Sequence, residues 1–165
     1  MVFPALTRFN DLVREQAETE LLACCAVPDW ATRVALGRPY PSVGSLTAVG
    51  LSALADLSWD QVALALAAHP RIGQRADGDS REAAWSRREQ ADAGASPEAD
   101  ALRAANVAYE ERFGHVFLIF ASGRTPAEML AAARARLAND EATERQVVRE
   151  ELAKIVRLRL ERLVE

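Results

Sequence analysis

Helix start and stop signals recur along this chain, and they restrict its fold more than any other feature of the sequence. Ser58 stands three residues before Gln61, the spacing of a capping box, and Pro70 interrupts the apolar run that follows. Thr125 and Glu128 repeat the capping spacing later in the chain. These signals predict a series of short helices separated by defined breaks.

The other helices are predicted from apolar residues that recur with a helical period and from flanking cap residues. Residues 6–25 fit either one helix with a break or two short helices, whereas residues 38–44 are rich in proline and glycine and predict an extended connection. Further helices are expected at residues 30–36, 45–57 with an interruption at Gly50, 59–69, 79–93, 97–113, 125–138 and 140–165.

One segment, residues 116–121, has the composition of a buried strand. It is a continuous apolar run with β-branched and aromatic residues, but the sequence offers no second segment of this kind to pair with it. Because an isolated strand is not stable in water, we expect an extended buried segment among helices. A chain of 165 residues can bury one core without disulfides or metal, which predicts an all-α, single-domain helical bundle of about eight helices over residues 1–165.

Composition narrows the possible partners and the location. The net charge of −4 argues against a nucleic-acid partner, for which a basic balance is typical. No apolar run approaches the roughly 20 residues that span a bilayer, and the N-terminus lacks the features of a signal peptide, so we expect no membrane association and a cytoplasmic location. Cys24 and Cys25 are adjacent and cannot readily bridge to each other, which predicts two buried helix cysteines and no metal site.

His69 is one of only two histidines in the chain, and it lies where an apolar helix meets Pro70. Proline disfavours helical geometry at the residue before it, which places His69 at or just past the last turn. A histidine at this place can be a cap that donates to the last carbonyl groups, or a catalytic group that titrates near neutral pH. Spacing alone leaves both interpretations open.

Two further sites carry polar side chains at defined helical spacing. Ser86, Glu89 and Gln90 stand at i, i+3 and i+4, so they share one helix face, which is either a solvated surface or a binding stripe. In the final helix, Arg159 continues the apolar stripe of residues 148, 152 and 155, so it must be buried or reach the edge of the core. It can form a structural salt bridge with an internal carboxylate, or it can hold the carboxylate of a ligand.

Sequence blocks along nearly the whole chain resemble, in their order and spacing, the signatures of the 2-oxo-4-hydroxy-4-carboxy-5-ureidoimidazoline (OHCU) decarboxylase family. The blocks are Trp30 with Arg38-Pro39-Tyr40, His69-Pro70-Arg71-Ile72-Gly73, Ser86-x-x-Glu89-Gln90, Asn106-x-x-Tyr109-x-x-Arg112-Phe113-Gly114-x-x-Phe117-Leu118-Ile119, Arg136-Leu137-x-Asn139 with Glu144, and Lys154-Ile155-x-x-Leu158-Arg159-Leu160. The chain departs from vertebrate-like members at Arg71-Ile72, where they have Asp-Leu, and at His115-Val116, where they have Phe-Pro. These departures indicate a bacterial subtype, and His115 is expected to be structural.

The resemblance implies a lyase that needs neither cofactor nor metal and that forms a homodimer of helical subunits. Its small-molecule substrate would be OHCU, the unstable product of hydroxyisourate hydrolysis, which loses carbon dioxide to leave (S)-allantoin. The resemblance implies catalytic roles for His69 and Glu89. The residues that it implies contact the substrate are Pro70, Ser86, Arg87, Arg88, Glu89, Gln90, Phe117, Leu118, Ile119, Phe120, Ala121 and Arg159, with residues 117–121 acting largely through their main chain.

Decarboxylation without a cofactor needs a poorly hydrated site and fixed dipoles that stabilise the developing charge. We expect His69 to exchange a proton with the 4-hydroxyl group or the reacting carbon, because its side chain titrates near neutrality. Glu89 and Gln90 are expected to hold the ureido group and the ring amides. Arg159 is expected to bind a carboxylate or a carbonyl group. The alternatives are a non-catalytic helical binding protein for a ureide or purine and, with less support from residue spacing, a hydrolase of a related ureide.

Overall fold

The computed structural model describes residues 3–72, residue 85 and residues 99–165. These residues confirm the all-α prediction, since they contain no strand. They form eight helices, which are α1 (Pro4–Asp11), α2 (Arg14–Leu22), α3 (Pro28–Leu36), α4 (Val43–Ala55), α5 (Trp59–Ala67), α6 (Ala99–Phe113), α7 (Pro126–Arg136) and α8 (Glu141–Leu163). None of the helices in this part of the chain is both long and apolar enough to cross a bilayer.

The chain divides into two compact units. The first contains residues Met1–Ala65 and Ala153–Glu165, and the second contains residues Leu66–Leu152. Within the first unit, α2 packs against α3 and α3 packs against α4, while in the second α6 packs against α7. That the chain is one domain stays a prediction.

In the first unit, the N-terminal segment forms two short helices, one of the two predicted possibilities. The α1 helix ends at Asp11 and α2 begins at Arg14. Cys24 and Cys25 are buried as predicted, but they lie just beyond the end of α2 and not within a helix. The prediction of helix cysteines is therefore wrong, because α2 ends at Leu22 and the chain turns there.

Helix α4 differs from its prediction at both its start and its centre. It begins at Val43, two residues earlier than expected, because Ser42 and Ser45 form a reciprocal capping box. The predicted interruption at Gly50 is wrong. Gly50 lies within the continuous helix, where its carbonyl accepts a hydrogen bond from Trp30 Nε1 at 2.9 Å. The close neighbour that favours glycine here is Leu160, because a Cβ at Gly50 would lie 2.6 Å from Leu160 Cδ1.

The connection after α3 is held by side chains of the Arg38-Pro39-Tyr40 block. The Arg38 guanidinium donates hydrogen bonds to the carbonyl oxygens of Phe9 at 2.8 Å and Leu12 at 2.7 Å. The main chain of Tyr40 makes two bonds to the Asn10 side chain, at 2.9 and 3.0 Å. These residues therefore tie α1 to the end of α3, and their role within this unit is structural.

The predicted caps before α5 and α7 are present. The Gln61 N–H donates to Ser58 Oγ at 3.2 Å, and the Ser58 N–H donates to Gln61 Oε1 at 3.0 Å. The Glu128 N–H donates to Thr125 Oγ1 at 3.1 Å. Helix α7 ends at Arg136, two residues before its predicted end, and α5 ends at Ala67, which leaves His69 just past the last turn.

At the start of α8, Asp140 accepts a hydrogen bond from the Thr143 N–H at 2.7 Å, which confirms the predicted cap. This bond lowers the pKa of the Asp140 carboxyl from its ordinary value of 3.8.

The core of the second unit gathers around α6, α7 and the extended segment at 117–121. Its buried members are Ile72, Leu102, Ala105, Tyr109, Phe117, Ile119, Ala121, Met129, Leu130 and Ala133. This core joins the chain just after His69 to the extended segment, so two of the predicted site regions rest on the same packed cluster.

Candidate active site

His69 lies just past the last turn of α5, as the sequence predicts. Its backbone N–H donates to the carbonyl of Leu66 at 3.0 Å, and both His69 and Pro70 are half-buried. Arg71 then forms an ion pair in which its Nε lies 2.8 and 3.0 Å from the two carboxylate oxygens of Glu110. The histidine therefore sits on a short, non-helical segment between α5 and a contact with α6.

This segment is also fixed at its far end. Ile72 is buried, and its carbonyl oxygen accepts a hydrogen bond from Asn106 Nδ2 at 2.7 Å. Asn106 lies on α6 and is only 2% exposed. The segment that carries His69 is thus held at both ends by buried or main-chain contacts.

The segment at 117–121 is extended and mostly buried, as predicted, and it forms no strand. The Leu118 carbonyl accepts from Arg136 Nη1 at 2.7 Å, and the Phe120 N–H donates to Glu151 Oε2 at 2.7 Å. The Phe120 carbonyl accepts from Arg124 Nε at 3.0 Å.

Between these contacts lies Ile119. No hydrogen bond formed among residues 3–72 and 99–165 uses its N–H or its carbonyl. That residues 117–121 contact a substrate through their main chain stays a prediction.

The buried ion pair between Arg136 and Glu144 packs against the extended segment. Arg136 Nε lies 2.7 and 3.0 Å from the Glu144 oxygens, and the guanidinium carbon lies 4.6 Å from the centre of the Phe117 ring. Tyr109 packs edge-on against Phe117, with ring centres 5.2 Å apart. Burial raises the pKa of the Tyr109 hydroxyl, and the Arg136 charge partly opposes this shift.

The second histidine, His115, belongs to the aromatic packing at the end of α6. Its ring centre lies 5.5 Å from that of Tyr109, in an edge-on arrangement, and 6.2 Å from that of Phe113. Its Nδ1 lies 3.1 Å from the Val116 carbonyl oxygen. These contacts favour the structural role expected for His115.

Arg159 is buried, which is one of the two possibilities predicted from its place in the apolar stripe of α8. Only 1% of the residue is exposed, and its Nη1 donates to the Ala23 carbonyl at 3.5 Å within the first unit. Whether Arg159 holds a ligand stays a prediction.

The predicted binding stripe lies outside the described residues. It consists of Ser86, Glu89 and Gln90, and the adjacent predicted contact residues Arg87 and Arg88 lie outside the described residues as well. Trp85, the residue before the stripe, is described, and it is helical and buried.

Asn106, Glu144 and Glu151 help to hold the segments of the candidate site, although none of them is among the residues that the sequence predicts to form it. A signal was present for Glu144, because it stands four residues before Val148 and continues the stripe that identified Arg159. Glu151 adjoins the same stripe at Leu152. An acidic residue in register with core positions therefore predicts a buried charged side chain, as an arginine at such a position does.

The chain is similar to known proteins over nearly its whole length. Residues 10–161 match the protein-family model described as OHCU decarboxylase. The uric acid degradation bifunctional protein TTL of Arabidopsis thaliana is 32% identical over 163 residues, which cover 92% of this chain and 48% of that protein. This chain therefore spans about half the length of the Arabidopsis relative.

Two further relatives are covered more fully. The 2-oxo-4-hydroxy-4-carboxy-5-ureidoimidazoline decarboxylase of Haloferax volcanii is 28% identical over 130 residues, covering 79% of this chain and 77% of that protein. A crystal structure of OHCU decarboxylase in the presence of (S)-allantoin superposes with a TM-score of 0.76 at 28% identity, covering 88% of this chain and 96% of the other.

Proposed function

Because this chain belongs to the OHCU decarboxylase family, we propose that it is a carboxy-lyase that converts OHCU to (S)-allantoin in urate degradation. The observation that carries the proposal is the family match over residues 10–161, which spans every predicted site residue. The relative solved in the presence of (S)-allantoin supports the same reaction.

We assign proton transfer to His69. Loss of carbon dioxide breaks the bond between the carboxylate carbon and the ring carbon, and the electron pair left on the ring must be neutralised by a proton. A half-buried imidazole on a segment fixed by main-chain and side-chain contacts suits this task. Glu89 is proposed as the second catalytic residue.

Other residues are proposed to bind the substrate. Ile119 offers a main-chain N–H and carbonyl from a buried segment, and such fixed dipoles stabilise charge better in a dry site than in water. Pro70 would shape the pocket beside the histidine. The proposed contacts to the ureido group and ring amides come from the segment at 117–121 and from Ser86, Arg87, Arg88, Glu89 and Gln90.

We propose three further properties. Arg159 would bind a carboxylate or carbonyl group of the substrate, and Arg159→Lys, which keeps the charge but loses the planar fork, tests this by raising KM. The protein would act as a homodimer without a cofactor. Its location would be the cytoplasm.

The alternative is a non-catalytic helical protein that binds a ureide or purine. A binding protein has no need of a proton-transfer group at a fixed position, so His69 and Glu89 together favour the enzyme.

Circular dichroism tests the proposal directly. OHCU is generated in place from urate with urate oxidase and hydroxyisourate hydrolase, and this protein, His69→Ala or His115→Gln is then added. We expect rapid formation of one allantoin enantiomer with the wild type and with His115→Gln, and only the slow racemic background with His69→Ala. Background rates with folded wild-type protein would instead support the binding protein.

A further inference from the structure

The four residues from His69 to Ile72 are held at both ends, and a buried side chain holds the main chain at the far end. The His69 N–H is held by Leu66, while the Ile72 carbonyl is held by Asn106 Nδ2 at 2.7 Å. The Ile72 side chain is buried in the same core as Leu102 of α6.

Two side chains of α6 make polar contacts with this segment, and these two contacts differ in burial. The ion pair of Arg71 with Glu110 has side chains that are 54% and 23% exposed, so water and salt weaken it. The bond from Asn106 to Ile72 is buried, and no water competes for it.

The amide of Asn106 is otherwise poorly satisfied. In the part of the chain that the structure describes, its Oδ1 is buried without a hydrogen-bond partner. Burying an amide whose oxygen has no hydrogen-bond partner costs free energy of folding. The hydrogen bond to the Ile72 carbonyl offsets part of this cost and gives a reason for a polar side chain at this position.

We infer that Asn106 is a positioning residue for His69. The inference rests on the proposed function, because it concerns the orientation of the proposed proton-transfer group. Pro70 has a fixed φ angle and lies between the two held ends, so movement of Ile72 is passed on to His69. A misplacement of about 1 Å at a reacting group can reduce the rate about 100-fold.

Asn106→Leu removes the donor and nearly preserves the volume of the side chain. We expect kcat to fall between about 10-fold and 100-fold, with KM changed less than about threefold, because the proposed binding residues keep their places. Asn106→Ser, whose hydroxyl is too short to reach the Ile72 carbonyl, serves if the leucine variant does not fold. Val148→Ala, a buried truncation on α8, controls for general loss of stability.

Nuclear magnetic resonance measures the position of the histidine without any activity. The chain has only two histidines, so their ring Cε1–H signals can be assigned with His69→Gln. In Asn106→Leu or Asn106→Ser we expect the His69 signal to shift and broaden, while the His115 signal keeps its wild-type position and width. In Val148→Ala both signals should remain as in the wild type.

The outcomes separate the inference from the proposed function. An unchanged His69 signal in the Asn106 variants, or an equal change in both histidine signals, overturns the positioning role. An equal loss of kcat in Val148→Ala overturns it as well. If the wild type shows no decarboxylation, the proposed function fails, yet the two signals still decide whether Asn106 positions His69.

Discussion

Removing either partner of the buried ion pair between Arg136 and Glu144 is expected to cause a large loss of stability. Their side chains are 9% and 1% exposed, and Arg136 Nε approaches Glu144 Oε1 to 2.7 Å. Arg136→Met leaves the Glu144 carboxylate in the core without a cation, and breaking a buried pair in this way costs about 3–5 kcal/mol. Domains are stable by about 5–15 kcal/mol in total, so the variant should lose about a fifth of its stability or more.

The double variant Arg136→Met/Glu144→Leu separates the charge from the rest of the contact. It removes the orphaned carboxylate, so it should be less destabilised than either single variant. A residual loss of about 1–3 kcal/mol is expected because the Leu118 carbonyl, which accepts from Arg136 at 2.7 Å, loses its donor. Urea unfolding followed by far-ultraviolet circular dichroism gives the free energy of unfolding for all four proteins.

An exposed pair provides the matched control. Arg8 makes two bonds to Glu20, at 3.0 and 3.1 Å, but the two side chains are 46% and 22% exposed. Arg8→Met should therefore lose no more than about 1 kcal/mol. Equal losses in Arg8→Met and Arg136→Met would refute the reasoning from burial. A double-variant loss equal to the sum of the single losses would refute the reasoning from the orphaned charge.

A substitution at Gly50 and the titration of Asp140 should each change the stability of the protein in a predictable direction. A Cβ at Gly50 would lie 2.6 Å from Leu160 Cδ1, so overpacking in Gly50→Ala should lower the free energy of unfolding by about 1–3 kcal/mol. The higher helix propensity of alanine offsets about 1 kcal/mol of this loss. Gly44→Ala has only the Ser42 Oγ at 3.7 Å and should unfold at a higher urea midpoint than Gly50→Ala; the reverse order would contradict the packing described. The lowered pKa of Asp140 means that its stabilising effect is present above its ordinary value of 3.8 and is lost as pH falls through the folded-state pKa. Asp140→Asn keeps the capping oxygen without the charge, so its melting temperature should fall less than that of the wild type between about pH 4 and pH 2, and equal falls would count against this.

Helices α5 and α7 are predictable because their caps are local. The bonds between Ser58 and Gln61, and between Thr125 and Glu128, involve residues three apart, so sequence spacing alone identifies them. Helix ends were less predictable. The sequence does not indicate the Ser42 cap, because the partner of Ser42 is a second serine and not Glu or Gln. It does not predict a continuous helix through Gly50, because the hydrogen-bond partner Trp30 is distant in sequence.

The candidate site shows the same division between local and distant information. The break at His69 follows from Pro70 next to it, and the burial of Arg159 follows from the period of its helix. The contacts of Glu151 with Phe120 and of Asn106 with Ile72 join residues 31 and 34 positions apart. No helical or strand period relates such positions, so only the folded chain reveals them.

Several residues of the family-like blocks act on the main chain of irregular segments. Arg38 donates to the Leu12 carbonyl, Asn106 donates to that of Ile72, and Arg136 donates to that of Leu118. A fold of short helices has many connections whose buried carbonyls no helix can satisfy, so side chains must supply the donors. Two of these donors hold the segments that carry His69 and Ile119. The family-like blocks therefore contain residues that hold the candidate site in place as well as residues that are predicted to contact the substrate. Transferring the predicted contact residues alone to another helical bundle should not transfer the activity.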